Sequence, residues 1–154
     1  MVSTKRKIFL LIFFIFLIFF LIFIFFNFAN KKKVENFSRA QVKNVLINLE
    51  IADSELEQYK GLSHRKELAP STGMLFLFSD KQKRSFVMRD MNFNLDIVFI
   101  DENRIVDIYK NLPFSEDEQK ILYTSSVPVD KVLELPGNFC EENNIFVSDL
   151  INFF

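Results

Sequence analysis

Apolar and polar positions divide the chain into two regimes. Ile8 to Phe26, IFLLIFFIFLIFFLIFIFF, is an unbroken apolar run of 19 residues. As a helix it would extend about 28 Å, close to the ~30 Å hydrocarbon core of a bilayer. A helix apolar on every side cannot be buried by a small soluble domain, so the run reads as a transmembrane segment. It predicts a basic head over residues 1–7, an anchor or signal peptide over 8–28, a linker over 29–44 and a β domain over 45–154. A retained single-pass anchor is favoured over a cleaved secretory signal, because the run exceeds the usual apolar core of about 7–15 residues. Ala29 is also the only small residue near its end. No cysteine lies directly behind it, which argues against a lipoprotein anchor.

Lys5, Arg6 and Lys7 on one side and Lys31, Lys32 and Lys33 on the other nearly cancel the positive-inside bias. A short basic head normally stays in the cytoplasm. The expectation is therefore a cytoplasmic-membrane protein with its domain on the periplasmic or extracellular side, the bilayer being the partner of residues 8–28. Secretion after signal cleavage is the alternative.

From Val45 onwards the apolar period changes to two. Val45, Ile47, Leu49 and Ile51 alternate with Leu46, Asn48 and Glu50, the pattern of a half-buried strand. Ser54 with Glu57 fits a capping box, and Gly61 supplies a left-handed stop, so a helix of two turns or less fits between them. Met74–Phe78 is a short strand apolar on both faces. SFVMRDMNFNLDIVFID divides into strands around Ser85–Arg89 and Leu95–Ile100. Asp101 to Asn103 then turns into the hairpin arm RIVDIY. Residues 110–126 read as a polar loop, VDKVLEL as another strand closed by Pro136-Gly137, and NFCEENN as one helical turn. IFV and LINF flank a Ser148-Asp149 turn. The predicted fold is mainly β: a small barrel or sandwich with one or two short helices, preceded by a single N-terminal transmembrane helix.

Charge and rare residues remove several function classes. Six of the 19 bases and none of the 20 acids lie in residues 1–33, leaving 13 bases against 20 acids, a net charge of −7. Such a domain lacks the basic footprint of a nucleic-acid binder. With one cysteine, Cys140, and one histidine, His64, no ordinary His/Cys zinc site can be assembled, and no metal or cofactor is expected. A Ser-His-Asp triad would have to use His64 beside Ser63, and adjacent loop residues rarely present both side chains to one substrate.

LEIADSELEQYKGLSHRKELAPSTGMLFLF, SFVMRDMNFNLDIVFIDENRIVDIY and VDKVLELPGNF…NIFVSDLI resemble, in order and spacing, the domain of unknown function 192 family over about Val45 to Phe153. The resemblance implies a small bacterial or archaeal β domain, often exported, with a compact barrel or sandwich and no established activity. This chain departs from the family at five places. Val87 stands for the usual tryptophan, Arg89-Asp90 for a lysine-asparagine pair and Asn94 for a proline. Asn144 and Ser148 stand where glycines are usual.

The charges in the central stretch carry the candidate chemistry. Asp96 lies on a strand face with Val98 and Ile100, and a buried carboxylate needs a partner. Arg89 on the preceding predicted strand is the expected one, as a pair that fixes register. Alternatively Arg89 and Asp96 border a ligand pocket walled by Met74, Phe76 and Met88. A third reading pairs Asp96 with Glu134 as catalytic carboxylates, which requires them about 5–10 Å apart across a cleft. Asp90, Asp101 and Asp149 read as turn residues. The functions these support are a non-enzymatic, membrane-tethered envelope domain binding a small ligand or envelope protein, an envelope hydrolase acting on a saccharide-like substrate, or a purely structural component.

Overall fold

A computed structural model describes residues 4–29, 37–115, 117 and 120–154. The chain divides into two units, Met1–Glu35 and Asn36–Phe154. The first contains helix α1, Thr4–Ala29. Of its side chains, those of Phe9 and residues 12–23 are described, and all are exposed. Among the residues so described, no helix is long and apolar enough to cross a membrane; the spanning role is taken up below as a proposal.

The second unit is mainly β, a curled half-barrel sheet with few short helices. Its strands are β1 (Arg39–Val42), β2 (Val45–Ala52), β3 (Thr72–Gln82), β4 (Ser85–Phe86), β5 (Leu95–Asp101), β6 (Arg104–Leu112), β7 (Tyr123–Thr124), β8 (Val129–Pro136) and β9 (Ile151–Phe153). Two short helices, α2 (Glu55–Lys60) and α3 (Phe139–Glu142), interrupt them. The large sheet has the order β6-β5-β8-β3-β2-β1-β9, and β4 with β7 forms a separate two-stranded ribbon. Only β2 and β3 run parallel among these pairs; α2 lies in their crossover.

Curling brings the sheet's two ends together. Arg104 on β6 bridges Leu150, just before β9. Ile105 donates its N–H to Asp149 O (3.0 Å), Ser148 N–H goes to Ile105 O (2.8 Å) and Ile151 N–H to Asn103 O (2.9 Å). These bonds occupy edge groups that would otherwise be open to strand addition.

Alternation along the strands produces a core on each face. On one side Leu75, Val98, Ile100, Leu133 and Leu135 pack with Cys140 and Ile151. On the other, Met74, Phe76, Leu95, Ile97, Phe99 and Val132 pack beneath Leu62, Met88 and Tyr123. Both faces of β5 are covered, which is why LDIVFI shows no clean apolar–polar alternation.

Four local expectations are corrected. Residues 39–42, within the segment read as linker, form β1, paired with β2 and β9. Its only apolar inward positions are Ala40 and Val42, too few to register as a period. The strand expected over Ser85–Arg89 stops at Phe86 and pairs with β7, not with β5. The β7 strand itself lies in the stretch read as loop. Asp101 does not cap its turn: its carboxylate meets Lys81 Nζ at 2.6 Å, and the turn's Glu102 N–H is taken by Asp130 Oδ1 at 2.9 Å.

Candidate functional site

Asp96 is fully buried, and its partners are backbone groups. Oδ1 accepts from Asn111 N–H (2.7 Å) and Asn138 N–H (3.0 Å), and Oδ2 from Cys140 N–H (2.7 Å). The carboxylate thereby ties β5 to the end of β6 and to the first turn of α3. Charge-assisted bonds of this kind are stronger than neutral ones and offset the cost of burying the charge. Cys140 lies against the same carboxylate, and burial together with that charge pushes its thiol pKa far up. Asp96 and Cys140 form a structural clamp.

The expected Arg89–Asp96 pair is not formed. Asp90, at φ 53°, turns the chain immediately after Arg89. Arg89 Nη2 donates to Tyr59 O at 2.6 Å, and its guanidinium stacks 4.3 Å above the Tyr59 ring. Asp96 and Glu134 do not form a carboxylate pair either. Asp96 is registered with Leu135 and Glu134 with Ile97, so one carboxyl faces the core of Leu135 and the other the core of Ile97.

On Glu134's side a cleft of about 520 Å³ opens. Its lip is the end of α2. The capping box forms as the spacing predicts: Ser54 Oγ accepts from Glu57 N–H (3.3 Å) and Glu57 Oε2 from Ser54 N–H (3.1 Å). Gly61 stops the helix at φ 48°, a backbone state costly for residues with a Cβ. A Cβ built on Gly61 would lie 3.5 Å from Phe76 Cζ and 4.0 Å from Glu134 Oε2, so this turn rests directly against the carboxyl. Phe76 and Phe78 of β3 and Phe86 of β4 supply the apolar wall, with Met91 beyond. Phe76 and Phe86 meet edge-to-face at 4.9 Å, and Phe86 continues to Phe99 at 6.0 Å.

The rim is basic. Lys60 leaves α2; Lys83 and Arg84 leave the turn between β3 and β4; Arg89 follows β4. Arg84 stacks 3.9 Å over Phe78 and bonds Asp80 at 2.5 Å. Its Nε is buried and has no hydrogen-bond partner among the described residues, and the same holds for Glu134 Oε2. Unpaired buried polar atoms are rare in folded proteins, and these two line one cleft.

Glu134 is 5 % exposed. Burial pushes its carboxyl up to about 8, opposed only by the charge of Arg65. That charge is already engaged: Arg65 Nη1 and Nη2 bind Glu50 Oε1 and Oε2 at 2.9 and 2.7 Å. At neutral pH Glu134 is therefore a neutral acid, able to donate a hydrogen bond as well as accept one.

Of the residues singled out from sequence, the cleft gathers Phe76, Arg89 and Glu134. Met74 and Met88 lie in the core beneath it, and Asp96 lies on the far face. Sequence reading missed Tyr59, Lys60, Gly61, Arg84 and Phe86. The basic run DKQKR beside two apolar stretches was the signal for Arg84 and Phe86, whereas Tyr59, Lys60 and Gly61 lie outside it, at the end of α2. Among the described residues, no group of three or more His, Cys, Asp and Glu side chains is placed to hold a metal ion.

A curled half-barrel with a basic-rimmed cleft defines the class, and comparison with known proteins names the family. The chain belongs to the DUF192 family, described as "Uncharacterized ACR", whose model matches residues 37–153. No curated protein matches. A protein of unknown function from Novosphingobium aromaticivorans DSM 12444 is similar, with 27% identity and a TM-score of 0.68 over 74% of this chain and 83% of that one. So is a putative transcription regulator from Sinorhizobium meliloti 1021, with 27% identity and a TM-score of 0.67 over 75% and 90% of the two chains.

Proposed function

We propose that the chain is a membrane-tethered binding module whose β domain holds a small ligand in the cleft floored by Glu134. The observation that carries this reading is the buried, unpartnered Glu134 Oε2 at the base of an open concavity walled by aromatic rings. Few convergent polar groups in a mostly apolar hollow is the general form of a small-molecule site. Amide chemical-shift mapping on the full chain in nonionic detergent, with a small-fragment library, tests it. Shifts clustered at Gly61, Phe86 and Arg89 are expected. Hits confined to other surfaces, or none, would remove the reading.

Tethering rests on Ile8–Phe26 and on α1, whose 26 residues extend about 39 Å. Residues 8–28 then have the bilayer as partner, and the domain lies on the periplasmic or extracellular side. Alkaline carbonate extraction should leave the full chain in the membrane fraction, and protease should reach the domain without permeabilisation of the inner membrane. Release by carbonate, or protection of the domain, would contradict the two parts separately.

The description of the Sinorhizobium protein does not carry over well. With 13 bases against 20 acids beyond residue 33, contact with a phosphate backbone is electrostatically disfavoured.

A further inference from the structure

We infer that the occupant of the cleft is a small organic acid bound as its anion. Its apolar body lies against Phe76, Phe86 and Met91, its charged end turns to Arg84 and Arg89, and one of its oxygens is within reach of Glu134. This rests on the binding-module reading above and names the ligand class for it.

The first support is the charge of the lining. Lys60, Lys83, Arg84 and Arg89 line the cleft, and Glu134 is the acid among them. Asp80 and Asp90 partly offset Arg84 and Arg89, at 2.5 and 3.8 Å, but their carboxylates are about half exposed and screened by solvent. The second support is the unpartnered pair. Arg84 Nε carries a buried N–H with no acceptor among the described residues, and its own carboxylate partner is Asp80 rather than Glu134. An oxygen of the ligand satisfies it. Guanidinium groups held flat on aromatic rings, as Arg84 is on Phe78 and Arg89 on Tyr59, are pre-organised for such an oxygen.

A cationic ligand fits poorly. It would meet four bases at the rim and would require Glu134 to ionise where burial disfavours it. The charged group acting on Glu134 is Arg65, held by its partner Glu50, and Tyr59, Lys60, Lys83, Arg84 and Arg89 line the same cleft. Its cross-strand neighbours Met74 and Ile97 bring no charge. With Glu134 protonated, its O–H donates to the anion, an acid–carboxylate bond of the strong, charge-assisted kind. Once Glu134 ionises, two like charges share one apolar space and the anion is expelled.

The test uses three probes of one shape on the full chain in nonionic detergent, followed by amide shifts: phenylacetate, phenylacetamide and phenethylamine. Phenylacetate is expected to move Gly61 and Phe86 saturably and to bind at least about tenfold more tightly than the amide, the value of one charge-assisted bond. The amine should not bind. Phenylacetate binding should weaken between pH about 6 and about 9.5, and in Glu134→Gln, which keeps a donor, that pH dependence should vanish. Equal or tighter binding of the amide or the amine at those amides overturns the anion assignment and leaves the cleft reading standing. A phenylacetate affinity that does not change with pH overturns the role of Glu134. Silence of Gly61 and Phe86 to all three probes overturns both readings.

Discussion

Asp96 and Glu134 stand one rung apart on adjacent strands and face opposite sides of the same sheet. Asp96 turns toward the core of Leu135, and Glu134 toward the core of Ile97. The period of two makes this unavoidable once register is set. The two acids therefore have separate lives: Asp96 is saturated by backbone donors, and Glu134 is left with an oxygen unpartnered in a cleft.

Replacing Asp96 should unfold the clamp. Asp96→Ala leaves the N–H groups of Asn111, Asn138 and Cys140 without their acceptor, at about 1–3 kcal/mol for each one left buried. A total loss of about 3–5 kcal/mol is expected in denaturant unfolding. Asp96→Asn should cost less, about 2 kcal/mol, because one oxygen remains, yet its amide would face the Cys140 N–H or its neighbours. A loss within about 0.5 kcal/mol for Asp96→Ala would contradict the clamp.

Cys140 should be chemically silent. The thiol is buried and its ionisation is opposed by burial and by the Asp96 carboxylate, whereas alkylation requires thiolate. Iodoacetamide is expected to modify it at the rate of global unfolding. Labelling that is fast and insensitive to denaturant would disprove this.

Gly137 is irreplaceable for reasons of space. A Cβ there would lie 2.6 Å from Asn94 Cβ and 2.7 Å from Asn111 Oδ1, and the Gly137 N–H already bonds Asn94 O at 2.8 Å. Gly137→Ala should destabilise by about 2–3 kcal/mol, visible as a lowered thermal midpoint. An unchanged midpoint would show that the neighbouring turns yield.

Glu134 should make the fold less stable as pH rises. Its folded pKa is raised from 4.5 to about 8. Below about pH 4.5 both folded and unfolded chains hold the proton, and the contribution is fully present. Between 4.5 and 8 the unfolded chain releases it and the folded one does not, so stability falls steadily and the contribution is gone above 8. The whole effect is a few kcal/mol. Glu134→Gln should flatten this slope and be the more stable protein at pH 9. A variant with the wild-type pH profile would refute it.

Much of the scaffold was legible because its signals are local. The Ser54–Glu57 box, the Gly61 stop, the alternation of β2 and the helical turn at Phe139 each need only a few neighbouring residues. What was not legible depends on distant pairing. β1 has two inward apolar residues and exists through β2 and β9. β4 and β7 are two residues each and hold one another across the intervening hairpin. Pairing Arg89 with Asp96 requires a strand that reaches Arg89 beside β5, whereas β4 ends at Phe86 and pairs with β7. Glu134 was visible only as one carboxylate among 20 acids. Its placement in a cleft follows from β8 lying between β3 and β5, which no local pattern encodes.

The central claim is that Glu134, buried in the lining of the cleft, is a neutral acid at physiological pH. A 13C NMR titration of the side-chain carboxyls in the full chain, with the Glu134 signal assigned by its loss in Glu134→Gln, measures this directly. A midpoint near 8 is expected, rising further when phenylacetate is bound. A midpoint in the ordinary range of about 4–5, unmoved by the anion, would contradict it.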